Sequence, residues 1–152
     1  MPTKHDAVLN IALYRIAELE RRLNNVMRPA KVTEVDPAKG IAKVTYASSS
    51  EGEPVESDWI PWTESAGDIK SWSPVSIGEQ LMMMSPSGEM GRHSWLMRGG
   101  FSNENPKPHN KSGEQVTTVG GNYRNHIDAN GSREETLSGN LVTKTNGKVF
   151  IN

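Results

Sequence analysis

Cysteine is absent from all 152 residues, which excludes disulfides, thiolate metal sites and cysteine nucleophiles. Apolar material is scarce. Hydrophobic residues make up 34% of the chain and mean hydropathy is −0.62, so a self-sufficient core of ordinary size is hard to fill. No apolar run approaches the ~18–20 residues of a membrane-spanning helix. The opening Met1-Pro2-Thr3-Lys4-His5-Asp6 lacks the basic-then-apolar order of a signal peptide, so Sec export is not expected. An excess of positive charge is missing too. Seventeen basic residues against eighteen acidic ones give −1, which argues against a protein whose main task is gripping nucleic acid phosphates. Turn formers are plentiful, with 14 glycines and 9 prolines, and they point to many short strands. The length fits one ordinary domain, or one small domain with appendages.

Residues 1–28 read as a helix, with Thr3 and Asp6 as a capping pair at its start. Leu9, Ala12, Ile16, Leu19, Leu23 and Val26 alternate by three and four positions. That spacing is an a/d seam, with Leu9, Ile16 and Leu23 at a and Ala12, Leu19 and Val26 at d. Such a helix either packs on its own domain or pairs with copies of itself. A seam of under three heptads assists an oligomer but does not hold one alone. Pro29 is expected to end the helix.

Residues 29–100 read as β. Lys31–Val35 and Ile41–Tyr46 alternate around the turn Asp36-Pro37-Ala38-Lys39-Gly40, which makes a hairpin. Further strand candidates are Val55–Trp62, Gly67–Ser73, Glu79–Met84 and His93–Met97. About five short strands in ~70 residues suggest a small closed or nearly closed barrel. Its expected core is Val32, Val35, Val44, Ile60, Leu81, Met83 and Leu96 with several tryptophans. Residues 101–116, with Pro106 and Pro108, read as a polar, extended linker.

Residues 117–152 contain five glycines and six asparagines but only eight Leu, Ile, Val or Phe. Tyr123, Asn125 and Ile127 share one face of a strand, Arg124, His126 and Asp128 the other. Leu137, Leu141 and Thr143 continue the alternation, as do Val149 and Ile151. Turns are expected at Gly120-Gly121, Asn130-Gly131, Gly139-Asn140 and Asn146-Gly147. One to three apolar residues per strand cannot build a two-sided core within one chain. Either the segment is a ragged polar tail, or its strands stack on identical copies around an axis.

Catalytic motifs are weak. His5, His93, His109 and His126 are scattered and form no H-x-H, HExxH or i, i+4 pair; His126 stands out because an axis brings copies of it together. No G-x-S-x-G elbow accompanies Ser94, His93 and Asp68. Glu51, Glu53, Glu56 and Asp58 read as a solvated acidic loop. An oligosaccharide or single-strand site on the barrel needs basic and aromatic residues on one face, but Lys70 is the only base between residues 44 and 91. No enzymatic activity is expected.

The order of parts is more informative than any single motif. Ser57-Asp58-Trp59-Ile60-Pro61-Trp62, then Ile77-Gly78-Glu79-Gln80-Leu81, then Met84-Ser85-Pro86-Ser87-Gly88-Glu89, set between a short helix and a Gly/Asn-rich ladder, resemble the baseplate assembly protein V family. These are the central spikes of contractile phage tails, with P2-like, Mu-like and R-type pyocin members. Asp58, Trp59, Pro61, Trp62, Gly78 and Glu79 are the positions that carry the motif. The resemblance implies a mainly β homotrimer: an N-terminal helix, an OB-fold barrel, then C-terminal strands intertwined into a triangular β-helix. Leu9, Ile16, Leu19, Leu23, Tyr123, Ile127, Leu137, Leu141, Val149 and Ile151 are the expected trimer-facing residues. Implied partners are the baseplate hub, the tail tube, possible separate tip protein and the bacterial outer membrane, with no nucleic acid. The implied location is the baseplate of a virion or tail-like particle, assembled in the bacterial cytoplasm.

Spikes of this family often end in an H-x-H tip whose three copies bind iron. No H-x-H occurs in these residues, so no cofactor is expected in this chain. The expectation is a tip beyond residue 152 or one supplied by a separate protein. The alternative reading is an OB-fold module that binds an oligosaccharide or single-stranded nucleic acid, with a flexible tail. A glycan-cleaving fibre enzyme and a trimeric connector are the remaining rivals.

Overall fold

The structure is a computed structural model that describes residues 4–147. It is mainly β, with one N-terminal helix and two antiparallel sheets, and it divides into two compact units between Pro106 and Lys107.

Helix α1 runs Lys4–Val26. Asp6 lies in its first turn, where a carboxylate complements the helix dipole; Thr3 lies outside the described residues. Glu18 braces Arg21 at 2.8 Å and Arg22 at 2.7 Å, one turn along the same face. The helix stops before Pro29 is reached. Strand β1, Met27–Asp36, begins at once and pairs Met27 through Lys31 with strand β5, Gln80–Met84. The Ser85 N–H also donates to the Val26 carbonyl at 2.8 Å. The ladder, not the proline, therefore ends the helix.

Strand β2, Ile41–Ser48, returns along β1. Asp36 closes the turn, its carbonyl accepting from Gly40 N–H at 3.0 Å and its carboxylate from Lys39 N–H at 3.2 Å. Strands β3, Pro54–Glu56, and β4, Ile60–Pro61, both pair with β2. The stretch 55–62 is therefore two strands, not one. Ser57 interrupts it: its N–H donates to Val44 O at 2.9 Å and its hydroxyl accepts from Val44 N–H at 3.1 Å. Residues 67–73 form no strand beyond an Ala66–Lys70 bridge. The Glu64 carboxylate gathers that loop, accepting from Ser71 Oγ, from Ser73 N–H at 2.6 Å and from Trp62 Nε1 at 3.3 Å.

A single 3₁₀ turn, Pro86–Gly88, follows β5, and strand β6, Trp95–Arg98, pairs with β5. A parallel bridge from Trp62 to Leu96, with Thr63 N–H donating to Leu96 O at 2.9 Å, joins β6 to the end of β4. The strands thus run in a closed circuit, β1 to β2 to β4 to β6 to β5 and back to β1.

Ala30, Val32, Ala42, Val44, Ile60, Trp62, Val75, Leu81, Met83 and Leu96 fill it, each no more than 6% exposed, and Val35 and Tyr46 pack at its rim. The tryptophan expectation needs correcting, because only Trp62 is buried. Trp95 alternates outward beside the inward Leu96, Trp72 lies across Trp62 with centroids 5.6 Å apart, and Trp59 lies under Lys43, whose Nζ is 5.0 Å from its ring centre.

In the second unit, β7 (Gln115–Val119), β8 (Tyr123–Ile127) and β9 (Arg133–Leu137) form an antiparallel meander. Strand β7 begins inside the stretch read as linker. Gly120 and Gly121, with φ of 54° and 74°, carry the three-residue loop that turns β7 into β8, closed by the Asn122 N–H donating to Val119 O at 3.1 Å. Asp128 shapes the next loop, its carboxylate accepting from Asn130 N–H at 2.9 Å and Ser132 N–H at 2.8 Å. No strand follows Leu137 among the described residues, so Leu141 and Thr143 do not continue the ladder. Among the described residues, no fourth strand pairs with the outer edge of β9.

Candidate functional site

The functional candidates are surfaces first. Leu9, Ile16, Leu19 and Leu23 are 52–74% exposed on α1, with Val8, Ile11, Leu13 and Tyr14 equally uncovered. Only the last turns of the helix are docked. Asn25 is buried, Arg22 lies over Gly88, and Arg22 reaches Glu89 at 3.2 Å. Hydrogen bonds from Arg21 first, and Arg22 second, hold Glu18 down to about 2. The residues of the predicted seam lie exposed along the helix among the described residues.

In the second unit, pairing puts Val119, Tyr123 and Leu137 in one row across the sheet, with Ile127 farther along the same face between Gln115 and Arg133. Tyr123 and Ile127 are half-buried, and Leu137 is exposed. Between them Tyr123 Oη donates to Glu135 at 2.8 Å, and Arg133 Nη2 donates to the same oxygen at 2.8 Å. These two donors, tyrosine first, hold Glu135 below the usual carboxylate range. Leu141 is exposed; Val149 and Ile151 lie outside the described residues. No residue from 107 to 147 is buried.

The motif positions serve the barrel. Asp58 accepts from Ser57 Oγ at 2.7 Å through its carbonyl. Pro61 sits opposite Ile41, where a strand end tolerates its missing N–H. The Gly78 N–H donates to Val32 O at 2.9 Å, and Gly78 O accepts from Asn105 Nδ2 at 3.0 Å. Glu79 accepts from Ser76 N–H at 2.9 Å and Arg98 Nη1 at 2.7 Å. Trp59, half-open beneath Lys43, and the exposed Asp58 are the motif side chains most open to the surface.

One side-chain cluster escaped the reading of scattered histidines. His109 Nε2 and His126 Nε2 both lie against Glu114 Oε2, at 2.8 and 2.7 Å, with ring centroids 5.2 Å apart. Lys111 approaches the other carboxylate oxygen at 3.8 Å. The signal was strand parity. Glu114 and Val116 point to one face, and Val116 is paired with His126, so Glu114 is the diagonal neighbour of His126. The Ser112-Gly113 turn then brings His109 back over both. Hydrogen bonds from His126 first, then His109, hold Glu114 below the usual carboxylate range.

No family model matches the chain. It is 31% identical over 97 residues to the protein named Spike protein of Escherichia phage P2. The matched stretch covers 63% of this chain and 43% of that relative, so the match spans somewhat less than half the length of the curated relative. Over that stretch the chain is similar to a phage spike protein.

Proposed function

We propose that the protein is the central spike of a contractile phage tail or tail-like particle. In this reading three copies form a membrane-piercing needle without enzymatic activity. The observation that carries the proposal is the second unit: three hydrogen-bonded strands with no buried residue among those described. Such a ladder cannot offset the entropy of ordering itself. Stacking copies about an axis buries the row Val119, Tyr123, Leu137 and the neighbouring Ile127, and removes the open strand edges. In the trimer these strands, with the segment that follows, interleave into the triangular β-helix.

The circuit in which β1 pairs with both β2 and β5 while β4 meets β6 in parallel supports an OB-fold reading of the barrel. The exposed seam on α1 supports a helix that pairs with its copies and braces against a hub ring at the end of the tail tube. Sheath contraction supplies the work; this chain supplies stiffness and a narrow front that crosses the outer membrane. The likeness to a phage spike protein supports the virion tail as its place of work. The iron tip of the family has no ligands in these residues, which contain no H-x-H.

A single-strand or sugar-binding barrel is disfavoured by its charge pairing. Lys43, beside Trp59, is paired with Glu34 at 2.8 Å, and Arg98 is paired with Glu79 at 2.7 Å. Cations already neutralised attract phosphates weakly. Native mass spectrometry of the intact chain tests the proposal: a trimer is expected, and a monomer that keeps its full strand content contradicts it.

A further inference from the structure

We infer that His109, Glu114 and His126 form a binding site for a divalent late first-row metal ion, zinc by its ligand chemistry, that fastens residues 107–114 onto the β7–β8 hairpin. The three donor atoms lie within 4.8 Å of one another, close enough for one ion to reach all three at ~2.0–2.2 Å after small side-chain shifts. Two imidazoles and one carboxylate are a borderline set. They suit zinc and its neighbours and not Mg²⁺ or Ca²⁺, which demand mostly oxygen. Three protein ligands leave a fourth position for water.

The donors are already aimed. Both rings present Nε2, and both turn it to the same oxygen, Oε2. Binding replaces two N–H···O bonds by three metal bonds. Each neutral imidazole moves its proton to Nδ1, or releases one to solvent if doubly protonated, and the hydrated ion gives up water ligands for the three side chains, keeping one. Lys111, 70% exposed, approaches Oε1 and leaves Oε2 to the ion. The ligand side chains are partly sheltered, 20% exposed for each histidine and 9% for the glutamate, so the ion competes with little solvent.

The site also meets a structural need. A small unit without a buried core needs another fastening, and a metal that joins separate stretches of chain is one. The ligands come from the approach to β7, from its threshold and from β8, so one ion ties the start of the unit to its middle strand.

The test is zinc titration of the full-length metal-stripped chain, with histidine imidazole NMR as the readout. The expected result is one ion per chain, with Nε2 resonances of His109 and His126 shifting while those of His5 and His93 do not. Changing the groups that only orient metal ligands typically costs about 10–100-fold in affinity, so His126→Ala or His109→Ala, which removes a ligand outright, should cost about 100-fold or more. A His5→Ala/His93→Ala variant should bind as the parent does. If a ligand variant fails to fold, the imidazole shifts of the parent chain still decide. No binding, binding that survives loss of His109 and His126, or shifts confined to His5 and His93 would overturn the site.

Discussion

The two units solve the same problem with different resources. In the barrel, short strands close on themselves and enclose ten apolar side chains. In the meander, three five-residue strands are hydrogen-bonded in the same antiparallel way and bury no residue among those described. Hydrogen bonds are therefore not what separates them, since a backbone bond exchanged for water nets only about 0.5–1.5 kcal/mol. The difference is apolar burial, at about 25 cal/mol per Å² removed from water. The barrel finds its burial within one chain; in the proposed trimer the meander finds it between chains.

The largest effect should come from breaking the self-sufficient side. Leu96 is fully buried where β6 meets Trp62, so Leu96→Ala should cost about 2–5 kcal/mol. Denaturant unfolding followed by tryptophan fluorescence would measure it. Next is Ile127→Asp on the meander. It should weaken association by about 1.5–3 kcal/mol per chain, the worth of one buried aliphatic side chain, read as a shift of the trimer–monomer equilibrium in sedimentation, while the barrel's unfolding midpoint stays put. If Ile127→Asp shifted the barrel's midpoint and left association untouched, the contrast between the units would fail.

Gly88→Ala probes the joint between helix and barrel. Gly88 has φ of 70°, and a Cβ there would run into the Arg22 carbonyl. The expected cost is about 1–3 kcal/mol, seen as earlier thermal loss of helical circular dichroism. The smallest effect is at Glu18, whose carboxyl titrates at about 2 when folded, against roughly 4.3 in an unfolded chain. A depressed folded value means its support is present above ~4.3 and is lost as pH falls through about 2. Helix content of the parent should therefore exceed that of Glu18→Gln near neutral pH, and the two should converge in strong acid. Equal content at neutral pH would show that the Glu18 pairs with Arg21 and Arg22 contribute nothing, as exposed pairs sometimes do.

Legibility followed locality. The hairpin around Asp36–Gly40 and the turn at Gly120-Gly121 were readable because turn chemistry and alternation sit in adjacent residues. Val32, Val44, Ile60, Leu81, Met83 and Leu96 were readable as core because strand parity assigns them one face. The tryptophans were not: Trp59, Trp72 and Trp95 are apolar by composition, yet they sit at rims where a large ring covers surface without entering the interior. The break at Ser57 was hidden because one hydroxyl, bonded to Val44 and Asp58, decides it. The His109, Glu114 and His126 cluster was hidden because His126 meets Glu114 through the β7–β8 register and His109 joins them through the turn at Ser112-Gly113. The helix seam was legible as a pattern, but whether its own barrel would cover it depended on the direction in which α1 leaves β1.

The central claim is that the strands of the second unit owe their order to neighbouring copies. Hydrogen exchange of the full chain, followed from concentrations that favour the assembly down to ones that favour the single subunit, tests it most directly. The account predicts protected amides in β7, β8 and β9 at high concentration, losing protection on dilution, while β1, β2 and β5 keep theirs throughout. Protection of β7–β9 that survives in the isolated subunit would contradict it.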